Sequence, residues 1–579
     1  MSNDLGLDRS GNGNNWTVNN IAFADQVVDS PTNNFATIDP LSSGAGAFSE
    51  GNLKYASSAD TGVGTFGISS GKAYAEVTIS SAANQYIGVC DISRGINPLR
   101  GGGWSDHGGI AYKFNGDQYK LAVGSNTSAS ASYGASYTNG DIIGIAIDVD
   151  NDTITFYKNG SSQGNTASGP SFLSSGGVYS IMIYGGSDMI FIVNFGQDSS
   201  FAGTKTAQGK QDSNDIGDFY YTPPTGYLAL CTKNLPNVDV VPSEHFNTLL
   251  YTGDGASTHA VTGVGFQPDW VWLKHRTATY HHSVWDSVRG VHKQLYTSGT
   301  NAEADESTSV KSFDTDGFTL GNKGNVNNDS GAANNFVAWN WKANGSGASN
   351  TTGSINTTKT SANVDAGFSI ITYSGNNTAG ATIGHGLSKA PEIVIIKSRT
   401  NSNDWWDTYH KDIGAANALH LNDTMAQADR SYFHDTHPSS SVIYLGSDRS
   451  SNGPSETFVA YAFHSVDGYS KVGSYTGNGV ADGTFVYLGF RPKYFMLKRT
   501  DSADAWVIYD SAREPENEDD GQDLSLKANA TDAEAAYGNI DFLSNGVKIL
   551  TTGGYMNNSG SPYIYLAFAE TPFKYSNAR

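Results

Sequence analysis

Short runs of alternating apolar and polar residues, separated by turn residues, follow one another between residues 71 and 200. Tyr74-Ala-Glu-Val-Thr-Ile79 and Gly144-Ile-Ala-Ile-Asp-Val149 alternate in this way, and Lys158-Asn-Gly160 supplies the residues of a tight turn. No helical period of apolar residues persists over this stretch. The pattern predicts the strands of an antiparallel β-sandwich.

The rest of the chain repeats one pattern three times, which is the signature of repeated structural units. Each copy opens with Tyr-Thr-Gly or Tyr-Ser-Gly, and a later proline begins an apolar strand that ends in a lysine. An aromatic strand closes each copy. The opening tyrosines are Tyr251, Tyr373 and Tyr475, the lysines are Lys274, Lys397 and Lys498, and the closing strands are 336–341, 458–463 and 563–568. Each copy is predicted to be a small antiparallel β-sandwich.

The expected fold class is therefore all-β, an antiparallel β-sandwich followed by three small β-sandwich repeats. Residues 343–366 are rich in Gly, Ser, Asn and Thr, which indicates a flexible or extended linker. Residues 466–471 join the second and third repeats closely. We expect modules in a row, with the first repeat angled away from the other two. The expected boundaries are 1–50 for an N-terminal segment, 51–235 for the sandwich, and 245–343, 365–466 and 471–579 for the repeats.

Composition narrows the classes of function. The 579 residues include 35 Lys and Arg against 56 Asp and Glu, a net charge of −21, which disfavours nucleic-acid partners. No apolar run is long enough to span a membrane, and the N-terminus lacks the features of a signal peptide. The two cysteines, Cys90 and Cys231, are expected to be buried free thiols, which favours folding in a reducing cytoplasm.

Four motifs in the first sandwich resemble a SPRY domain: 71–76 (Gly-Lys-Ala-Tyr-Ala-Glu), 140–150, 155–160 and 194–196 (Asn-Phe-Gly). That resemblance implies two curved antiparallel sheets that bind protein or glycan partners through loops at one end. Residues 10–16 and 29–34 resemble a segment that precedes SPRY-like modules in tail and fibre proteins of marine bacteriophages. The three repeats resemble those at the C-terminal ends of such proteins.

One aspartate and one lysine recur in each of the three repeats. Asp286, Asp407 and Asp510 are interpreted as turn caps or hydrogen-bond acceptors, one in each repeat. The three lysines are expected to cover apolar surface with their stems while their charged ends stay in water. No catalytic residue, metal site or cofactor is predicted. The metal candidates that we interpret as ordinary turn or loop residues are 148–152, 314–317, His434 with His437, and His281 with His282.

Candidate binding residues lie where the strand pattern fails. A glycine-rich loop at 100–107 carries Trp104, Asp106 and His107. The second repeat has a dense aromatic stretch, of which one of two adjacent tryptophans must face away from the sheet because neighbouring strand residues point to opposite faces. Its candidates are Trp405, Trp406, Tyr409 and His410. For this stretch, contact with a partner chain and contact with a receptor remain equal alternatives.

The resemblances imply a non-enzymatic virion protein that folds in the host cytoplasm: a tail fibre or receptor-binding appendage that recognises a glycan or protein of the host surface. Its expected partners are other virion proteins and, by family analogy, two further copies of itself in a homotrimer. The main alternative is a structural capsid decoration or adaptor. A polysaccharide depolymerase is a third possibility and would need two facing carboxylates.

Overall fold

The structure is a computed structural model, and it divides the chain into two compact units, Met1–Pro236 and Asn237–Arg579. The described residues are 6–8, 12–19, 27–30, 32–41, 43, 46–58, 60–80, 85–92, 109–121, 128–166, 177–235, 237–327, 334–517 and 523–575.

The first unit contains two antiparallel sheets, as the alternating pattern predicts. The larger has the order β1-β2-β13-β4-β9-β10-β11, with β14 beside β4, and the smaller has the order β3-β12-β5-β6-β7-β8. The strands are β1 Ala47–Ser49, β2 Lys54–Ser58, β3 Thr61–Val63, β4 Lys72–Ile79, β5 Tyr86–Asp91, β6 Gly109–Lys113, β7 Asp117–Leu121, β8 Ser128–Ser132, β9 Ile142–Asp148, β10 Thr153–Lys158, β11 Ser161–Asn165, β12 Tyr179–Tyr184, β13 Ser187–Asn194 and β14 Leu228–Ala229.

The motif residues of this unit hold its strands and loops together. Buried Glu76 accepts hydrogen bonds from the backbone amides of Tyr220 and Tyr221, both at 2.8 Å, and from the Asn194 amide at 3.2 Å. Burial raises the pKa of Glu76 to about 7 even though these donors favour the charged form. Cys90 and Cys231 are buried and unpaired, as predicted.

Each repeat in the second unit pairs a large sheet with a smaller one. In the first repeat the large sheet has the order β15-β23-β17-β18-β19-β20 and the small one has the order β16-β22-β21. Its strands are β15 Phe246–Thr252, β16 His259–Thr262, β17 Trp270–His275, β18 Ser283–Asp286, β19 Lys293–Tyr296, β20 Ala304–Asp305, β21 Val310–Asp314, β22 Gly317–Leu320 and β23 Asn335–Trp341.

The second repeat keeps this order and adds an edge strand: β24-β25-β32-β27-β28-β29-β30, with β26-β31 as the small sheet. Its strands are β24 Lys359–Asn363, β25 Phe368–Ser374, β26 Ala381–Gly384, β27 Ile393–Ser398, β28 Trp406–His410, β29 Asn417–His420, β30 Ala428–Asp429, β31 Val442–Leu445 and β32 Thr457–Phe463.

The third repeat has the large sheet β33-β41-β35-β36-β37-β38 and the small sheet β34-β40-β39. Its strands are β33 Ser470–Thr476, β34 Phe485–Tyr487, β35 Phe490–Arg499, β36 Val507–Asp510, β37 Leu524–Lys527, β38 Ala535–Ala536, β39 Ile540–Leu543, β40 Gly546–Ile549 and β41 Pro562–Pro572. The helical pieces of the second unit are α1 Arg449–Asn452, α2 Gly554–Asn557 and the 3-10 turns Pro242–Glu244, Lys411–Ile413, Ser431–Phe433 and Phe573–Tyr575.

The three repeats do not stand in a row; they share one hydrophobic core. One face of each large sheet packs against the small sheet of its own repeat, and the other faces the common core. The ring of Trp270 stacks on that of Tyr461 of the second repeat at 4.4 Å, and Phe246 stacks on Phe568 of the third at 4.9 Å. The predicted core aromatics Trp339, Trp341, Phe463 and Phe568 all lie in this core, which confirms that prediction.

The expectation of a first repeat angled apart is therefore wrong, and the reason is visible in the linker. Residues 343–366 are extended but held in place: β24 adds to the sheet of the second repeat, and Ile355 forms a bridge with Ile383 of β26. The polar composition of residues 343–366 indicated flexibility. The segment is nevertheless ordered, because its backbone forms hydrogen bonds with strands of the second repeat. Over the described residues, no helix has the length and apolar character that crossing a membrane requires.

Candidate functional site

The residues that recur in all three repeats serve the fold. The opening tyrosine hydroxyl donates to a backbone oxygen, from Tyr251 to Val326, from Tyr373 to Ser451 and from Tyr475 to Met556. The residue that follows each acceptor is a buried asparagine whose side chain donates to loop carbonyls. These asparagines are Asn327, Asn452 and Asn557. The motif glycine two residues after the tyrosine has no room for a side chain, since a Cβ at Gly253 would lie 2.0 Å from the Asn327 carbonyl oxygen.

The recurring lysines are buried, which corrects the prediction that their charged ends stay in water. Each Nζ donates to two backbone carbonyls, that of the next residue and that of the residue four positions after the lysine. For Lys397 these are the carbonyls of Ser398 at 2.9 Å and Asn401 at 3.2 Å. Burial lowers the pKa of each lysine to about 8. The loop that follows the strand encloses each ammonium, and sequence could not reveal that enclosure. The other two sets of contacts join Lys274 to His275 and Ala278, and Lys498 to Arg499 and Ser502.

Two of the three boundaries between repeats carry a network of charges built around a buried Asp–Arg pair. Between the first and second repeats, Arg289 binds Asp286 at 2.5 Å and Glu303 at 3.1 Å, and Glu303 binds Arg399 of the second repeat at 2.8 Å. The Tyr461 hydroxyl of the second repeat donates to Asp286 at 2.7 Å. We call this the first network. Its carboxylate at Glu303 is fully engaged, and despite burial the two arginines hold its pKa below the ordinary value.

The second network repeats this arrangement between the third and first repeats. Arg513 binds Asp510 at 2.7 Å and lies 3.7 Å from Glu534, which binds Arg276 of the first repeat at 2.8 Å. The Trp339 indole of the first repeat donates to Asp510 at 3.1 Å. These contacts agree with the interpretation of Asp286 and Asp510 as hydrogen-bond acceptors.

The boundary between the second and third repeats has neutral residues at every one of these positions, and we call it the neutral boundary. Strand register makes His410, not Asp407, the counterpart of Asp286 and Asp510, because His410 pairs with Ile393 as Asp286 pairs with Trp270. The expected assignment of Asp407 to this position is thus wrong. Four other positions also carry neutral residues at this boundary. They are Ile413 in place of Arg289 and Arg513, Gln427 in place of Glu303 and Glu534, Thr500 in place of Arg399 and Arg276, and Leu566 in place of Tyr461 and Trp339.

Asp407 instead lies in the middle of β28, where it is fully buried. Its side chain accepts a 2.5 Å hydrogen bond from the Ser450 hydroxyl. Burial raises its pKa well above the ordinary value, and the nearby acids Asp448 and Asp404 add to the effect. Asp407 is therefore an internal group that ties β28 to α1 through Ser450.

Trp405 is the exposed member of the aromatic stretch in the second repeat. Its indole stacks on the His420 ring with a centroid distance of 4.8 Å and an interplanar angle of 5°. His420 is only 2% exposed and is held by Asp423 at 3.1 Å and the Tyr432 hydroxyl at 3.2 Å. Trp405 keeps 37% of its surface exposed while one of its faces is stacked on His420. We call Trp405, His420 and Asp423 the Trp405 site.

The other predicted residues of this stretch are internal. Trp406 is buried in the common core, and its indole donates to the Tyr296 carbonyl of the first repeat at 2.8 Å. The Tyr409 hydroxyl contacts His437 at 2.7 Å inside the second repeat. Burial lowers the pKa of His410 to about 4, so its ring is neutral near pH 7. These three side chains have no surface left for a partner, and Trp104, Asp106 and His107 lie outside the described residues.

Several of the metal candidates have other partners in the structure. Asp148 forms an ion pair with Lys72 at 2.7 Å and caps Asn151, and His282 accepts a hydrogen bond from Trp272. In the part of the chain that the structure describes, no three His, Cys, Asp or Glu side chains are placed to hold a metal ion.

Comparison with known families places the repeats. A family model described as "Domain of unknown function (DUF7483)" matches residues 241–572, more than half of the chain and all three repeats. The chain belongs to the DUF7483 family. The networks, the neutral boundary and the Trp405 site are all features of its DUF7483 region.

The first unit contains a SPRY domain, since the SPRY family model matches residues 72–198. Ran-binding protein 9 and Ran-binding protein 10 of Danio rerio are each 35% identical over 92 residues, which is 16% of this chain. That match spans only 15% and 14% of the lengths of the two relatives. The TRIM65 PSpry domain matches with a TM-score of 0.22 at 14% identity, covering 28% of this chain and 92% of its own. The SPRY domain of human HERC1 matches with a TM-score of 0.20 at 18% identity, covering 27% and 96%.

Sequence reasoning missed His420 and Asp423, the supports of Trp405 in the DUF7483 region. An alignment of the repeats by register would have indicated His420, but not Asp423, whose counterparts are Gly299 and Ala530. His281 of the first repeat occupies the position of Trp405 and stacks on Tyr296, the counterpart of His420, at 4.7 Å. Once the strand register is known, the sequence shows two ring-bearing residues at both of these positions in the first and second repeats.

Proposed function

We propose that this chain is a bacteriophage virion protein, a tail fibre or receptor-binding appendage, that recognises the host cell surface and catalyses no reaction. The observation that carries the proposal is that, within the DUF7483 region, the recurring polar residues serve the fold and a different residue is exposed. The polar groups that recur in all three repeats form contacts within the fold, while the exposed Trp405 is not one of the residues that recur in all three. A rigid scaffold with a few singular surface residues suits recognition.

Two further features support this proposal. The chain carries a SPRY domain, and the SPRY resemblance implies an interaction module. The N-terminal and repeat motifs resemble those of marine phage appendages, in which many copies of a weak binder gain affinity through avidity. In this proposal the partners are other virion proteins and a host glycan or protein, and the chain works as a homotrimer on the virion.

The test uses the full chain displayed on fluorescent beads and incubated with a panel of marine bacteria, alongside antibody labelling of phage particles by electron microscopy. We expect binding to the strains that the phage infects and labelling at the tail tip. Labelling on the capsid surface without binding to cells would overturn the proposal in favour of a decoration or adaptor. Release of reducing sugar from host polysaccharide would overturn its non-enzymatic part.

The homotrimer is tested separately by light scattering of the full chain. We expect three times the 61.4 kDa chain mass at micromolar concentration. A monomer mass would contradict the trimer, and the threefold arrangement within a single chain would then be the only one in the molecule.

A further inference from the structure

We propose that the Trp405 site is a binding subsite for a neutral hexopyranose ring. The inference deepens the proposed function and rests on it, because it names the class of surface ligand that the DUF7483 region contacts. It is drawn from the stacking geometry, the charge of the chain and the comparison between repeats.

The indole is held in one orientation before any ligand arrives. His420 supports one face, and Asp423 and Tyr432 fix the His420 ring. The next residue, Trp406, is anchored in the common core, and its amide donates to the Asn422 side chain at 2.9 Å. A platform fixed in this way loses little side-chain entropy on binding.

The chemistry of the surroundings suits an uncharged sugar. A flat indole face packs well against the C–H face of a pyranose, and carboxylate oxygens accept hydrogen bonds from hydroxyl groups. Asp423 retains some exposure, and Asp504 of the third repeat is joined to the same loop through its amide, which donates to Thr424 at 2.9 Å. The carboxylate of Asp423, in a chain of net charge −21, disfavours uronic or sialic acids, whereas Asp504 lies 3.6 Å from the Arg499 guanidinium.

The position of Trp405 differs in residue type among the three repeats, although the strands around it are the same. The loop that carries Asp423 lies at the neutral boundary, where the Trp506 indole of the third repeat donates to the His420 carbonyl at 2.9 Å. The counterpart of Trp405 is His281 in the first repeat and Ala505 in the third. Because the third repeat folds with alanine there, Trp405→Ala removes the platform without removing a residue that the fold requires.

The experiment measures binding of neutral gluco-, galacto- and manno-oligosaccharides to the full chain by saturation-transfer NMR and calorimetry, with polygalacturonate as the anionic probe. We expect at least one neutral oligosaccharide to bind, a loss of tenfold or more in affinity for Trp405→Ala, and a smaller loss for Trp405→Phe. Leu250→Ala, which truncates another exposed apolar side chain, is the matched control and should leave the affinity unchanged.

The same variants are then tested for binding to host cells, which separates the two proposals. If the full chain binds cells but no neutral oligosaccharide, or if Trp405→Ala binds sugar as well as the parent, the inference is overturned and the proposed function stands. If sugar binding depends on Trp405 but no cells are bound, the inference stands and the proposed function falls. Binding of a cationic peptide at Trp405 in place of any sugar would also overturn the inference.

Discussion

The two charged boundaries and the neutral boundary join neighbouring repeats through the same backbone contact but through different side chains. In all three, a backbone amide of one repeat donates to a carbonyl of the next, from Glu303 to Arg399, from Gln427 to Thr500 and from Glu534 to Arg276. Charged side chains are added at only two of them. The five neutral replacements occur together at one boundary, so the network residues act as a set.

Chain connectivity explains which boundary is neutral. Residues 464–469 join the second and third repeats directly, so these two are held at high effective concentration. Residues 342–367 join the first and second repeats by a longer path, and no linker joins the third repeat to the first. Buried ion pairs add specificity of partner and register where the covalent chain does not.

The largest expected effect comes from breaking a network at its centre. Arg513→Met leaves Asp510 buried without its partner and should lower the free energy of unfolding by about 3 to 5 kcal/mol. The measurement is urea unfolding of the full chain, with hydrogen exchange of peptides from residues 237–575 to locate the transition. Ile413→Met at the neutral boundary is the matched control and should cost about 1 kcal/mol or less. Equal losses for both variants would contradict the comparison.

The buried lysines provide a pH test that all three repeats should share. Their folded pKa of about 8 lies below the unfolded value of 10.5, so the folded state binds fewer protons between these values. Their contribution to stability is present above pH 10.5 and is lost as the pH falls through 8. Converted at 1.36 kcal/mol per pH unit, each contributes up to about 3 kcal/mol of pH dependence.

Unfolding measured from pH 7 to 10 checks this, with Lys274→Met and Lys498→Met as variants. Each variant should remove about one third of the lysine-dependent rise in stability with pH. A rise that survives in both variants would show that other groups cause it. Because the lysines lie in all three repeats, this effect should not distinguish the neutral boundary from the charged ones.

Much of this fold was predictable from sequence, and the exceptions share a cause. The alternation of Tyr74–Ile79 and the threefold recurrence of tyrosine, lysine and closing aromatics depend on contacts within one repeat. Order in residues 343–366 and the role of Trp406 depend on chain segments elsewhere. Burial of the Lys397 ammonium depends on the conformation of the loop that follows it, which residue types alone do not reveal. The candidate site was half predictable: alternation along a strand required one of two tryptophans to face outwards, but the support by His420 required the register.

A smaller effect is expected where a network meets the neighbouring repeat. Glu303→Gln keeps the shape of the side chain but removes the charge that Arg289 and Arg399 share, and we expect a loss of about 1 to 3 kcal/mol. Glu534→Gln should cost a similar amount, because its contacts repeat those of Glu303. At the neutral boundary the same position is occupied by Gln427. Unfolding in low and high salt checks both, and a loss in one variant alone would show that the networks are not equivalent.

The smallest expected effect comes from building a charge pair into the neutral boundary. Gln427→Glu alone places an acid opposite Thr500 and should be neutral to mildly destabilising. Adding Thr500→Arg recreates the pairing of Glu303 with Arg399, and a double-mutant cycle should give a coupling of about 0.5 to 1 kcal/mol. The gain is small because the linker already holds these two repeats together, and His410 and Ile413 do not supply the rest of a network. A coupling as large as the loss from Arg513→Met would mean that this one pair does the work of the set, and the explanation by connectivity would fail.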